Sequence, residues 1–166
     1  MVHTAPAWPE PEPLDPLSAP VPQYGTASLA DLLPTIATGL GISGTPGAME
    51  LAPADRACVF LIDGLGWELL RAHPEEAPFL TSLLGTSFNG SGRPLTAGFP
   101  STTATSLASV GTGLPPGAHG LPGYTCEDPA TGALMNQLRW YPWTDPYVWQ
   151  PYPTVFQLAD AAGIHT

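Results

Sequence analysis

The residues with the most evident chemistry lie in the run Gly98 to Gly120, GFPSTTATSLASVGTGLPPGAHG. It is dense in Thr and Ser, punctuated by Gly, and contains no Asp, Glu, Lys or Arg. A Thr or Ser hydroxyl is a weak nucleophile until a metal ion or a base lowers its pKa. At the start of a helix it would lie beside free N–H groups and the positive end of the helix dipole, which together hold an anion such as phosphate. Thr102 and Thr103 stand where such a helix should begin. Upstream, the apolar run Val59 to Ile62 ends in Asp63-Gly64. A carboxylate at the end of a buried strand, with a hydroxyl at a helix start, is half of a metal-assisted phosphoryl site. A buried ionised carboxylate costs on the order of several kcal/mol unless it is paired, hydrogen-bonded or metal-bound. On residue types alone, Asp63 reads as a metal ligand or as a cap of the following helix. Thr102 and Thr103 read as N-caps or as nucleophile and neighbour.

Several elements must position these groups. Arg56 to Ile62 (RACVFLI) is a short continuous apolar run rich in strand formers, the pattern of a central strand covered on both faces. Asp63 to Gly66 turns the chain, Trp67 to Ala72 begins a helix, and a turn at His73-Pro74 precedes a second helix over Glu75 to Leu84. Strand, turn and helices in that order open a doubly wound α/β fold, in which ligands bind beyond the carboxyl ends of the strands, where Asp63 lies. Ser87 to Thr96 is turn-rich, with room for a short strand or hairpin. The hydroxyl-rich run predicts a helix over Thr103 to Val110, closed by Thr112-Gly113 before Pro115 and Pro116.

Nearer the N-terminus, Ser28 and Asp31 form a capping-box pattern ahead of an apolar face of Leu29, Leu32, Leu33, Ile36 and Leu40. Pro34 inside this pattern predicts a kink or break. Gly120 to Pro153 is rich in Trp, Tyr and Pro, which fits either a substrate-side cap or irregular packing over a sheet edge. Thr154 caps a final helix, Val155 to Ala162, with Gly163 as its stop. Ile164 to Thr166 then looks like the start of another strand, so the chain is expected to be part of a longer protein.

With 166 residues and 43% hydrophobic content, one domain with its own core is expected over residues 27–166. Residues 1–26 hold seven prolines and predict an extended or disordered arm. The net charge is −10, carried against only four basic residues, Arg56, Arg71, Arg93 and Arg139. Nucleic-acid binding through phosphate contacts is therefore not expected. The same charge repels an anionic substrate unless a bound dication supplies the local field. Cys58, inside the expected strand, reads as a small buried hydrophobe, and two cysteines without CxxC spacing make no disulfide framework. No signal-peptide pattern and no apolar run of membrane-spanning length is seen, which sets the expectation of a soluble, cytoplasmic protein.

FLIDGLG, FPSTTATSLASVGTGLPPGAHG and PTVFQLADAAG together resemble the N-terminal part of the alkaline phosphatase superfamily, in its type I phosphodiesterase/nucleotide pyrophosphatase branch. The resemblance implies an alkaline-phosphatase-like α/β fold: a mostly parallel central sheet with helices on both faces, incomplete in this chain. It also implies a metal-dependent phosphohydrolase acting on a small phosphate ester or nucleotide with two divalent ions, usually zinc. By the same resemblance Asp63 matches a metal ligand. Thr103, nine residues before Thr112 of the Thr-Gly pair, matches the nucleophile, which also binds the metal and forms a covalent intermediate. Ala104 and Tyr124 fall at substrate-side positions, although many relatives carry Asn where spacing puts Tyr124, and Asn136 is a distant substitute. His119 matches a position that is structural rather than a ligand or base. The remaining Asp and His ligands would come from later in the chain, so these 166 residues are expected to be inactive alone. Other readings are a phosphatase, mutase or sulfatase relative, or a non-catalytic binding domain that keeps the fold; the absence of Cys at the nucleophile position counts against a sulfatase.

Overall fold

The computed structural model describes residues 21–84, 94–141 and 144–166. The Pro-rich segment up to residue 20, most of the turn-rich stretch after Ser87, and Trp143 lie outside the described residues.

Helix α1 spans Leu29–Gly39. Asp31 anchors its start: the Ser28 N–H and hydroxyl donate to Asp31 Oδ2 at 2.8 and 2.7 Å, and the Gly25 N–H donates to Oδ1 at 3.1 Å. These bonds satisfy a buried carboxylate and fix the turn that leads into the helix. The kink or break expected at Pro34 does not interrupt α1, which stays helical to Gly39. Pro34 forfeits one intrahelical bond, but its side chain is buried against Gly113 of a neighbouring helix, and packing holds the turn.

Helix α2 is Trp67–Ala72, as expected, whereas α3 is Pro78–Leu83, shorter than the stretch from Glu75. Pro78 is the reason: its fixed φ suits a first helical turn and disfavours helix in the residue before it. Helix α4, Thr103–Thr112, ends on Gly113 at φ 72°. Helix α5 is Pro116–His119, and the hairpin β1, Thr125–Glu127, with β2, Leu134–Asn136, follows. Their antiparallel register pairs Thr125 with Asn136, Cys126 with Met135 and Glu127 with Leu134. Helix α6 is Pro146–Trp149 and α7 is Val155–Ala161. In α7 the Thr154 hydroxyl accepts from the Gln157 N–H at 3.2 Å, and Gln157 Oε1 accepts from the Thr154 N–H at 2.7 Å.

The core is a three-helix contact. Leu33 and Ala37 of α1, Val110 of α4, and Val155 and Ala159 of α7 are buried together with Ile42, and Leu29, Ile36 and Ile164 pack against them. Ile164 therefore contributes to packing, while the strand expected to begin there is not formed.

The sheet differs most from expectation. Among the described residues the one ladder is the antiparallel β1–β2 pair, and the one parallel pairing is an isolated bridge between Ser28 and Thr96. Residues 56–62 form no ladder, and Val59, Phe60, Leu61 and Ile62 are 38 to 80% exposed. Cys58, expected to be buried, is exposed with them. A strand exists only through a neighbour that takes up its N–H and C=O groups, and an apolar run is buried only when something covers both faces. Neither condition is met among the described residues.

Candidate active site

Residues 56–62 lead into Asp63, which lies on one side of a cleft of about 940 Å³. The opposite side is the start of α4, with Ser101, Thr102, Thr103 and Ser106. Across 40 residues of chain, the Thr103 hydroxyl donates to Asp63 Oδ2 at 3.2 Å. That is longer than the usual 2.7–2.8 Å O–H···O contact, so the bond is weak and the two oxygens stand open to a third group.

Thr103 is the first residue of α4 and Thr102 its N-cap, in extended conformation (φ −109°, ψ 155°). The Thr102 side chain makes no cap hydrogen bond, unlike Asp145 and Thr154 at the starts of α6 and α7. The first-turn N–H groups of α4 are thus left unclaimed by the cap hydroxyl, at the end of the helix where the dipole is positive. Helix start, hydroxyl and carboxylate converge on one spot.

The rest of the cleft wall is apolar, including Phe60, Ile62, Trp67 and Leu80, and among the described residues no Lys, Arg or His lines it. An anion entering here would meet the Asp63 carboxylate with no basic side chain to offset it. A divalent cation fits the donors that are present. Two oxygens on one tetrahedral ion with bonds of about 2.0 Å sit roughly 3.3 Å apart, close to the separation of Thr103 Oγ1 and Asp63 Oδ2. The fit is to part of a site: among the described residues, no three His, Cys, Asp or Glu side chains gather as a metal cluster.

Other sequence candidates are placed elsewhere. Ala104 has a buried side chain that lines a second cavity, of about 840 Å³, on another face of α4, so only its backbone N–H belongs with the helix start. Tyr124 is exposed at the entry to the hairpin and does not line the Asp63–Thr103 cleft. Asn136 Oδ1 accepts from the Leu138 and Arg139 N–H groups and shapes a turn.

His119 is 1% exposed. Its Nδ1 accepts from the Leu121 N–H at 3.1 Å, which puts the ring proton on Nε2, 3.0 Å from Ser109 Oγ. Burial pushes its pKa below the ordinary 6.5, and backbone groups of Thr105 and of His119 itself pull it part of the way back. With both nitrogens engaged inside the molecule, His119 ties α5 to α4 and cannot serve as a base in the cleft. Ser101 and Ser106, which line the cleft, were legible only as part of a hydroxyl-rich run.

The cleft thus brings a carboxylate to a hydroxyl at an uncapped helix start, with no basic side chain among the described residues that line it. The family model for type I phosphodiesterase / nucleotide pyrophosphatase matches residues 57–166, more than half of the chain and both walls of this cleft. The chain belongs to that family, which is a hydrolase family with an alkaline-phosphatase-like α/β fold. No curated protein and no solved structure matches the chain.

Proposed function

We propose that the protein is a metal-dependent phosphohydrolase that cleaves phosphodiesters or diphosphates through a covalent intermediate on Thr103. The observation that carries this reading is the 3.2 Å contact between Thr103 Oγ1 and Asp63 Oδ2 at the start of α4. Asp63 and Thr103 would hold one divalent ion, zinc by the character of the family, and a second ion and the remaining ligands would come from residues outside those described. When bound, the metal supplies positive charge that lowers the hydroxyl pKa and offsets the charge on phosphorus-bound oxygens.

The chain's own groups divide the work. The first-turn N–H groups of α4 orient the phosphoryl oxygens. Thr103 Oγ1 passes its proton towards Asp63 Oδ2 and forms a bond to phosphorus, the bond from phosphorus to the departing alcohol or phosphate oxygen breaks, and that oxygen takes up a proton from water. Attack of water on the phosphothreonine ester then restores the hydroxyl and releases the phosphate product. Phe60, Ile62 and Trp67 give the cleft an apolar surface beside the reacting oxygens. In this reading residues 56–62 are a strand of a mostly parallel sheet, which brings Asp63 to the ligand-binding edge.

The test is hydrolysis of bis(p-nitrophenyl) phosphate by the full-length protein loaded with zinc. Thr103→Ala should lower kcat by about 10³-fold or more, while Thr103→Ser should keep much of it. An unchanged rate in Thr103→Ala would remove the nucleophile assignment, and zinc content well below one per chain would favour a non-catalytic binding domain.

A further inference from the structure

Thr103 is carried by a segment whose position is set from outside the stretch that matches the family. Residues 23–29 grip residues 96–99 through a set of hydrogen bonds. The Gln23 N–H donates to Thr96 Oγ1 at 2.8 Å, and that hydroxyl donates to the Ala27 carbonyl at 3.2 Å. The Thr96 N–H donates to the Ala27 carbonyl at 2.9 Å, and the Leu29 N–H donates to the Thr96 carbonyl at 3.0 Å. Beyond Thr96 the grip passes to one side chain: Tyr24 OH accepts the Phe99 N–H at 3.1 Å. Gly98 is buried where this hydroxyl and Pro116 close in, so that a Cβ there would lie 3.2 Å from Tyr24 OH and 3.3 Å from Pro116 Cγ. The turn that presents Tyr24 is itself braced, because Asp31 holds the Gly25 and Ser28 N–H groups.

From these contacts we infer that Tyr24 is a positioning residue for the Thr103 nucleophile. Its hydroxyl fixes the backbone at Phe99, four residues before Thr103, and so sets where the first turn of α4 places Thr103 Oγ1 relative to Asp63. This rests on the phosphoryl-transfer reading of Thr103. The geometric logic is that a weak 3.2 Å contact between two side chains on separate segments holds its register only if the backbones beneath are held. Asp63 follows a segment with no ladder, so α4 carries that duty. Gly113, packed on Pro34, fixes the far end of α4, and the Tyr24 grip fixes the near end. Tyr24 does not line the Asp63–Thr103 cleft and touches neither side chain, so its effect is on alignment and not on binding.

The experiment is Tyr24→Phe in the full-length, zinc-loaded protein, which keeps the ring and removes the one acceptor. With bis(p-nitrophenyl) phosphate, kcat should fall about tenfold, as expected when a small displacement misaligns reacting atoms. KM should stay within about twofold and the unfolding midpoint should barely change, a split that a general loss of structure would not give. Hydrogen exchange of the Phe99 to Thr103 amides should quicken about tenfold in the variant, with the last turn of α4 unaltered. Unchanged exchange overturns the inference, and so does faster exchange with wild-type kcat in an active enzyme. If wild type and Thr103→Ala are equally inactive, the hydrolase reading fails instead, and the exchange result alone decides whether Tyr24 holds the segment.

Discussion

Thr103 and Asp63 reach each other over 40 residues, whereas His119 and Ser109 meet inside the molecule ten residues apart. The contrast separates a site from a staple. An exposed pair with a long contact has room for a third group, but a buried pair with its polar atoms engaged has none. The staple has its own consequence. Because burial lowers the pKa of His119 in the folded protein, the unfolded chain takes up a proton first as pH falls. Stability held by the neutral ring is therefore complete above about pH 6.5 and is lost as pH drops through the lower folded-state value. Urea titrations from pH 7.5 to 5 should show unfolding free energy declining over this window, with a shallower decline in His119→Gln. Equal slopes in both proteins would show that His119 does not carry the effect. The roles of both pairs were partly legible: hydroxyl-rich residues at a helix start and a carboxylate after an apolar run are local features. That Oγ1 and Oδ2 touch is not a local feature.

At the scale of elements, the caps were the most legible part. Ser28 with Asp31, Thr154 and Gly113 are read from residues within one turn, and the structure uses all of them, adding Gln157 as the partner of Thr154. No break occurs at Pro34, for the opposite reason: a partner on another helix decides whether a helix survives an internal proline. Gly113 supplies that partner: a Cβ there would fall 2.5 Å from Pro34 Cγ. Gly113→Ala should therefore cost about 2–4 kcal/mol, combining an unfavourable left-handed backbone with a clash that pushes α1 and α4 apart. Gly132, at φ 68° with nothing near its Cβ position, provides the control. Its alanine variant should lose only about 1–2 kcal/mol, the backbone part. Chemical denaturation of both measures the difference, and equal losses would mean that the α1–α4 contact yields without cost.

For the whole molecule, α1, α4 and α7 form the core, while the apolar strip Val59 to Ile62 remains uncovered. Phe60 is 80% exposed in that strip. An exposed apolar run outside any ladder invites pairing with another chain. The 166-residue chain should accordingly self-associate in sedimentation velocity, and Phe60→Glu should shift it towards monomer. An unchanged distribution in the variant would show that the strip is not the contact.

By itself, the sequence determined helices α1, α2, α4 and α7, the caps at Ser28, Gly113 and Thr154, the turn at Asp63-Gly64, the family, and the residue types available for phosphoryl chemistry. These follow from periodicity, capping and residue spacing, which act over a few residues at a time. Tertiary structure alone decided that Thr103 meets Asp63, that His119 is sealed against Ser109, and that Tyr24 grips Phe99. It also decided that RACVFLI is outside any ladder and uncovered. An apolar run records what a segment can bury, but the hydrogen-bond ladder and the covering layers belong to other segments, and only their arrival in space makes a strand or a site.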